Sequence, residues 1–334
     1  MPIEPAALPS ALPAAFSVPQ ARAAGVSAGR LRAGDLLAPH RGVRVRSADM
    51  DRVDESDTLE RPSALRRAVL ARARAYAHVM HPGAFFVGRT ALALYGLPLE
   101  RLDGERLSGQ RLLEGTEDLH VGVFAPQCAP RARGILGMQS TTSLVTVRPL
   151  EGLVLASAAS TWALLAGVLD ERGLIRLGDA IVRVPRDDGG RHVPRAQLAT
   201  IDQLRAAAAV PQRRRRAMLT TALTHIRVGS GSPLETDWRV DAEAAGLAGF
   251  DLDVEIRDDR GRLAGIADAV HRGSRVIVEV EGDHHRTDRR QWARDIEKHA
   301  AYDALGWHLV RLTAAHIRSG RAVTLLRTAL TRPA

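Results

Sequence analysis

Residues 276–281 read Val-Ile-Val-Glu-Val-Glu, a strand-length apolar run broken at alternate positions by two carboxylates. Strand side chains alternate between faces, so Glu279 and Glu281 point one way while Val276, Val278 and Val280 point the other. An acid on a strand that otherwise reads as buried is costly unless something pairs with it. Asp268, at the end of the preceding apolar stretch, can lie opposite. Convergent carboxylates at a sheet edge are the donor set that a hard divalent cation takes. An edge strand with one solvated face explains one acid easily. It explains Glu-Val-Glu-Gly followed by Asp283-His284-His285 less well. The stretch therefore implies a sheet in the last third of the chain and marks where chemistry is to be sought.

The flanking sequence completes a domain over residues 230–334. Ser232-Pro233 opens a helix with cap and proline in the expected order, placing Glu235 in its first turn. Phe250–Ile256 reads as a strand, Asp258–Gly261 as a hairpin turn and Leu263–Val270 as a second strand bearing Asp268. The third strand carries Glu279 and Glu281. A helix over about 289–305 follows, with Asp295 one turn past Gln291 on the same face. Trp307–Leu312 is the fourth strand and two helices close the chain. This order predicts an α/β (α+β) core, a sheet flanked by helices.

The rest of the chain reads differently. Lysine and arginine number 47 against 38 acids, a formal charge of +9 that points to a polyanionic partner. Lys298 is the only lysine, so the bases are almost all arginine. A single cysteine, Cys128, excludes an internal disulfide and a cysteine-based zinc cluster and fits a reducing, cytoplasmic setting. No run of 18 apolar residues exists, so no membrane span is expected. Residues 1–13 read as an Ala/Pro-rich leader without signal-peptide character.

Residues 14–50 predict a winged helix-turn-helix. Ser17 caps a first helix that Gly25 ends, Ser27 caps a second over Ala28–Leu37, and a basic β-wing follows. Arg30 and Arg32 on the second helix, with Arg41 and Arg44 on the wing, are the candidate DNA contacts. Residues 59–228 predict a mixed α/β middle region without a chemical constellation, in which Arg213–Arg216 reads as a solvated cluster or a phosphate contact.

The C-terminal order resembles the restriction-endonuclease-like PD-(D/E)XK superfamily, nearest to the very-short-patch-repair (Vsr-like) endonucleases. The residues that carry the likeness are Ser232-Pro-Leu-Glu235, Asp268, Val278-Glu-Val-Glu-Gly282, His284-His285, Gln291 with Asp295, and Gly306-Trp-His-Leu-Val-Arg311-Leu-Thr313. Residues 16–230 are similar to AbiEi-type antitoxin-like proteins of actinobacteria, through Gln20–Val45, Thr90–Leu97, Ser160-Thr-Trp162 and Leu177-Gly-Asp-Ala180. The first resemblance implies a DNA endonuclease in which Asp268 and Glu279 hold Mg²⁺ and Glu235 contacts metal-bound water. It further implies that His284 or His285 moves the proton, with Asp295 orienting it, and that Arg311 contacts phosphate. One departure stands out: Glu281 occupies the position of the superfamily's usual lysine. The competing expectations are a non-catalytic DNA-binding regulator with a degenerate nuclease fold, and an interaction module with a toxin or defence-system partner.

Overall fold

The computed structural model describes residues 5–47, 61–97, 118–187, 189–281 and 289–331, with backbone alone for 61–65 and 289–295. Among the described residues the chain is a mixed α/β protein with eleven helices and three sheets. It divides into two compact units, Met1–Val168 with Ala209–Arg214, and Leu169–Ala208 with Arg215–Ala334.

The first unit opens with β1 (Ala15–Ser17) and α1 (Val18–Ala23). Ser17 Oγ accepts the Gln20 N–H at 3.2 Å and the Gln20 side chain accepts the Ser17 N–H at 2.8 Å, a reciprocal cap. Gly25, at φ +82°, then reverses the chain. Strands β2 (Leu36–Leu37) and β3 (Val43–Arg46) complete an antiparallel sheet in the order β1-β3-β2. Here the structure departs from the sequence reading. The second helix expected over Ala28–Leu37 is absent; only Arg30–Arg32 coils, as one 3-10 turn, and Leu36–Leu37 joins the sheet. Glycines at 29 and 34 weaken helix propagation on both sides of that turn. Arg30 reaches forward to grip Asp35 through two bonds of 2.8 and 2.6 Å, holding the segment as a loop.

The unit continues with α2 (Arg61–Ala77), β4 (Ala84–Phe86), α3 (Gly88–Leu94), β5 (Leu119–Phe124), β6 (Ile135–Ser140), β7 (Val147–Leu150), β8 (Leu153–Ala156) and α4 (Ala158–Leu165). The five strands order as β6-β5-β4-β8-β7. Ser157 caps α4, accepting the Ser160 N–H at 3.2 Å, and Trp162 is fully buried. Thr90, inside α3, accepts the His120 N–H at 2.8 Å and ties that helix to β5. Arg213 is buried and donates to the Leu144 carbonyl at 2.7 Å, so it does not share one solvated cluster with Arg214–Arg216.

The second unit contains α5 (Glu171–Val182), followed by α6 (Ile201–Ala209), α7 (Arg216–His225) and α8 (Pro233–Ala244). Then come β9 (Phe250–Arg257), β10 (Leu263–His271), β11 (Val276–Glu281), α9 (Arg289–Ala304), β12 (His308–Thr313), α10 (Ala314–Arg318) and α11 (Arg321–Leu330). The sheet order is β12-β11-β10-β9. Its hairpins β9/β10 and β10/β11 are antiparallel, and α9 crosses over to make β12 parallel to β11. One set of apolar side chains, Val276, Val278 and Leu312, packs with Leu234 and Trp238 of α8 and Leu326 of α11. Ile256, Ala267, Val270 and Ile277 pack with Tyr302 of α9. Asp179 of α5, 1% exposed, fixes α5 to α8 and to the end of α7. It accepts from Arg239 Nη2 at 2.7 Å, Thr236 Oγ1 at 2.8 Å and the Arg227 N–H at 2.8 Å.

Candidate active site

The site forms where β10 and β11 part. Their ladder runs from His271↔Val276 through Val270↔Ile277 to Ala269↔Val278 and stops there. One residue further, the Asp268 carboxylate takes over, its Oδ2 accepting the Val280 N–H at 2.7 Å. A side chain thus replaces a ladder bond and satisfies a backbone donor that would otherwise be orphaned. The fork opens beside Glu279, the next strand position past Val278.

Glu279 is buried, its side chain 12% exposed, and Lys298 Nζ of α9 stands 2.9 Å from its Oε1. Lys298 also donates to the Ile266 carbonyl at 3.1 Å and lies 5.7 Å from the centre of the Tyr302 ring. This approach requires Gly265. A Cβ there would meet Tyr302 Oη at 2.6 Å and Lys298 Cγ at 2.7 Å, so only glycine lets α9 settle onto β10 at this point. Lys298 and Tyr302 are four residues apart and share a helix face. Burial, then the Glu279 and Asp268 carboxylates, push the Tyr302 hydroxyl's pKa up, keeping it protonated.

Glu235 enters from the first turn of α8. Ser232 caps that helix, accepting the Glu235 N–H at 3.3 Å, and the Gly231 N–H donates to Glu235 Oε2 at 2.5 Å. Burial and the nearby Asp268 charge push the Glu235 carboxyl up to about 8, against the opposing pull of Gly231, Ser232 and the Arg183 guanidinium. The pair Glu235/Asp268 therefore retains a proton near neutrality. Glu281 sits at the outer end of β11, 38% exposed and ion-paired with Arg311 of β12.

The structure thus brings Glu235, Asp268 and Glu279 to one fork and leaves Glu281 beside it, held by Arg311. His284 and His285 lie outside the described residues, as does the Asp295 side chain. Among the described residues no group of three His, Cys, Asp or Glu side chains converges as a metal site. The donor chemistry nevertheless suits a hard cation at Asp268 and Glu279: both are carboxylates, and a divalent ion would offset the Asp268 charge that, after burial, raises the Glu235 pKa. Of the candidate DNA-contacting arginines, Arg30, Arg32, Arg41 and Arg44 belong to the first unit and Arg311 to the second. Arg32 and Arg41 are exposed; Arg30 is taken up by Asp35, and Arg44 Nε donates to the Leu31 carbonyl at 2.7 Å.

Two site residues escaped the sequence reading, Lys298 and Tyr302. Lys298 carried one signal: it is the sole lysine among 47 basic residues, so arginine had been the default everywhere else. No family model matches the chain, and neither the curated proteins nor the solved structures contain a match. No described helix is long and apolar enough to cross a membrane.

Proposed function

We propose that the second unit hydrolyses phosphodiester bonds of DNA with Mg²⁺ held by Asp268 and Glu279, and that the basic first unit binds the duplex. The observation that carries this reading is the fork itself: Asp268 and Glu279 where the β10/β11 ladder breaks, Glu235 close enough to feel the Asp268 charge, and the chain's only lysine delivered onto Glu279. The αβββαβα order around that fork fits the restriction-endonuclease-like layout and the Vsr-like likeness of residues 232–320. The winged-helix reading of residues 14–50 draws on α1 and the small antiparallel sheet, with the 3-10 turn in place of its second helix.

Each residue has a role under this reading. Bound Mg²⁺ supplies Lewis acidity at the scissile phosphate and a more acidic water. Asp268 and Glu279 fix the position of that charge. Lys298 offers its ammonium to a phosphate oxygen, supplying the positive charge that Glu281 cannot. Glu235, in the first turn of α8, would contact a metal-bound water. Arg311, paired with Glu281, lies at the strand end where a flanking phosphate is met.

A second reading has its own support. Lys298 neutralises Glu279 and Arg311 neutralises Glu281, so two acids of the strand are balanced by the chain's own cations. That balance suits a non-catalytic DNA-binding regulator, antitoxin-like in character. A cleavage assay separates the two: supercoiled and linear duplex DNA with Mg²⁺ or Mn²⁺, wild type against Asp268→Ala. Metal-dependent nicking that Asp268→Ala abolishes is the expected result. Duplex binding without cleavage, across metals and substrates, selects the regulator.

A further inference from the structure

A turn far from the C-terminal third of the sequence belongs to the same compact unit. Residues 185–187 and 189–193 run back along each other: the Asp187 N–H donates to the Arg191 carbonyl at 2.9 Å and the Val193 N–H to the Pro185 carbonyl at 2.8 Å. Arg186 and His192 pair as a β-bridge across this hairpin. Arg186 fastens it to β9. Its Nε donates to Asp253 Oδ1 at 2.7 Å, its Nη2 to the Asp253 carbonyl at 2.8 Å and its Nη1 to Glu255 Oε1 at 3.1 Å. His192 Nε2 stands 2.7 Å from Asp253 Oδ2.

Asp253 is an unusual residue to find in a strand. Its φ is +55°, the left-handed region that a side chain with a Cβ avoids. Such strain persists where surrounding bonds over-determine it, as Arg186 and His192 do here, and it clusters at functional sites. Leu252 and Val254 pair with Ala269 and Ala267, so Asp253 stands in register opposite Asp268. The hairpin also reaches β10 itself: a Cβ on Gly190 would come 3.0 Å from Ile266 Cδ1. Ile266 is two residues before Asp268, roughly 7 Å of strand. A carboxylate–histidine dyad is therefore held between this hairpin and β9, the strand next to β10, whose Asp268 lines the fork.

We propose that His192, oriented by Asp253, is a catalytic residue of this site and takes the proton from the attacking water. The proposal rests on the hydrolase reading above. In the tautomer that donates Nε2–H to Asp253, Nδ1 is left as an acceptor, and the side chain is 45% exposed. Its charged surroundings are Asp253 and Arg186, with Glu255, and with Asp187 and Arg191 paired to each other at 3.0 Å. In the step, the water oxygen bonds to phosphorus as its proton passes to Nδ1. The bond from phosphorus to the leaving oxygen breaks with its electron pair on that oxygen. Solvent protonates the leaving group and recovers the proton from His192.

The test is a pH–rate profile of Mg²⁺-dependent duplex cleavage for wild type, His192→Gln and Asp253→Asn, with duplex affinity and thermal unfolding measured on each. His192→Gln is expected to lower kcat by about 10²–10⁴-fold and remove the acidic limb of the profile, with affinity and unfolding unchanged. Asp253→Asn keeps the imidazole and is expected to lower kcat less while displacing that limb. A His192→Gln protein with wild-type kcat and an intact acidic limb overturns the proposal and leaves the hydrolase reading standing. A rate loss that only tracks lost affinity or early unfolding also overturns it, because the role is then structural. Wild type that cuts nothing overturns both readings.

Discussion

Replacing Lys298 by Met tests whether the acid fork depends on that one cation. Met keeps most of the aliphatic stem that lies over Gly265, so packing of α9 on β10 changes little while the charge disappears. What remains is Glu279, 12% exposed, without the ammonium 2.9 Å away. Removing one partner of a fully buried ion pair costs about 3–5 kcal/mol. Lys298 is 23% exposed, and solvent screening brings the expected loss to about 2–3 kcal/mol. For a unit of this size that lowers Tm by roughly 4–12 °C. Glu279→Gln in the Lys298→Met background removes the stranded carboxylate and is expected to recover part of the loss, a coupling within about 0.5–3 kcal/mol. The assay is thermal unfolding of the four proteins of this cycle at neutral pH without divalent ions. A Lys298→Met protein that melts with wild type, together with a coupling of zero, refutes the reasoning: the ammonium then rests beside Glu279 without stabilising it.

Gly265→Val is expected to destabilise the second unit by about 1–3 kcal/mol in denaturant unfolding despite valine's preference for strands, because the new side chain meets Tyr302 Oη and Lys298 Cγ. Unchanged stability in that variant shows that α9 is not seated tightly there. In the first unit, His40 is 5% exposed and packs edge-on to Tyr76 at 5.0 Å. Burial first, then the Arg72 charge, lowers its pKa from 6.5. The unfolded chain therefore takes up the proton first. The stabilisation is fully present above the unfolded value and is lost as pH falls from there through the depressed folded value, at no more than about 1.4 kcal/mol per pH unit. Unfolding followed from pH 8 to 5 should show this slope in wild type and lose it in His40→Phe; identical slopes count against it.

What could be read from the sequence was what local chemistry determines. Ser232-Pro233 specified a helix start because cap and proline act within one turn, and Ser17 did the same. The alternation in 276–281 gave a strand and its two faces, and the Asp258–Gly261 turn appears with the Gly261 N–H on the Asp258 carbonyl at 2.9 Å. The failures are equally physical. Ala28–Leu37 was expected as a helix, but Gly29, Gly34 and the Arg30–Asp35 grip favour a loop that feeds a strand. Lys298 was given no place at the site, because nothing around residue 298 reveals a glycine slot on a strand more than thirty residues earlier. The His192–Asp253 contact spans 61 residues and depends on a hairpin whose own sequence, rich in Arg, Asp and Gly, reads as plain loop.

Glu281 illustrates how a one-dimensional comparison misjudges charge. In the sequence it is an acid where the resembled superfamily keeps a lysine, which argues against activity. In the fold it is paired with Arg311 of the neighbouring strand, so its carboxylate is not an uncompensated addition to the fork. Parallel pairing sets the two strands side by side, with Glu279 in register with Arg311 and Glu281 with Thr313, and the Arg311 guanidinium reaches forward to Glu281. Meanwhile the ammonium that the strand lacks arrives from α9, through a gap that only a glycine leaves. Position along β11 is thus a poor guide to the electrostatics of the fork. The relevant quantity is the charge collected there by α8, α9, β10, β11 and β12 together. Counted that way, Glu281 alone does not decide whether the site is active, and Lys298 and Asp268 are the residues on which that question turns.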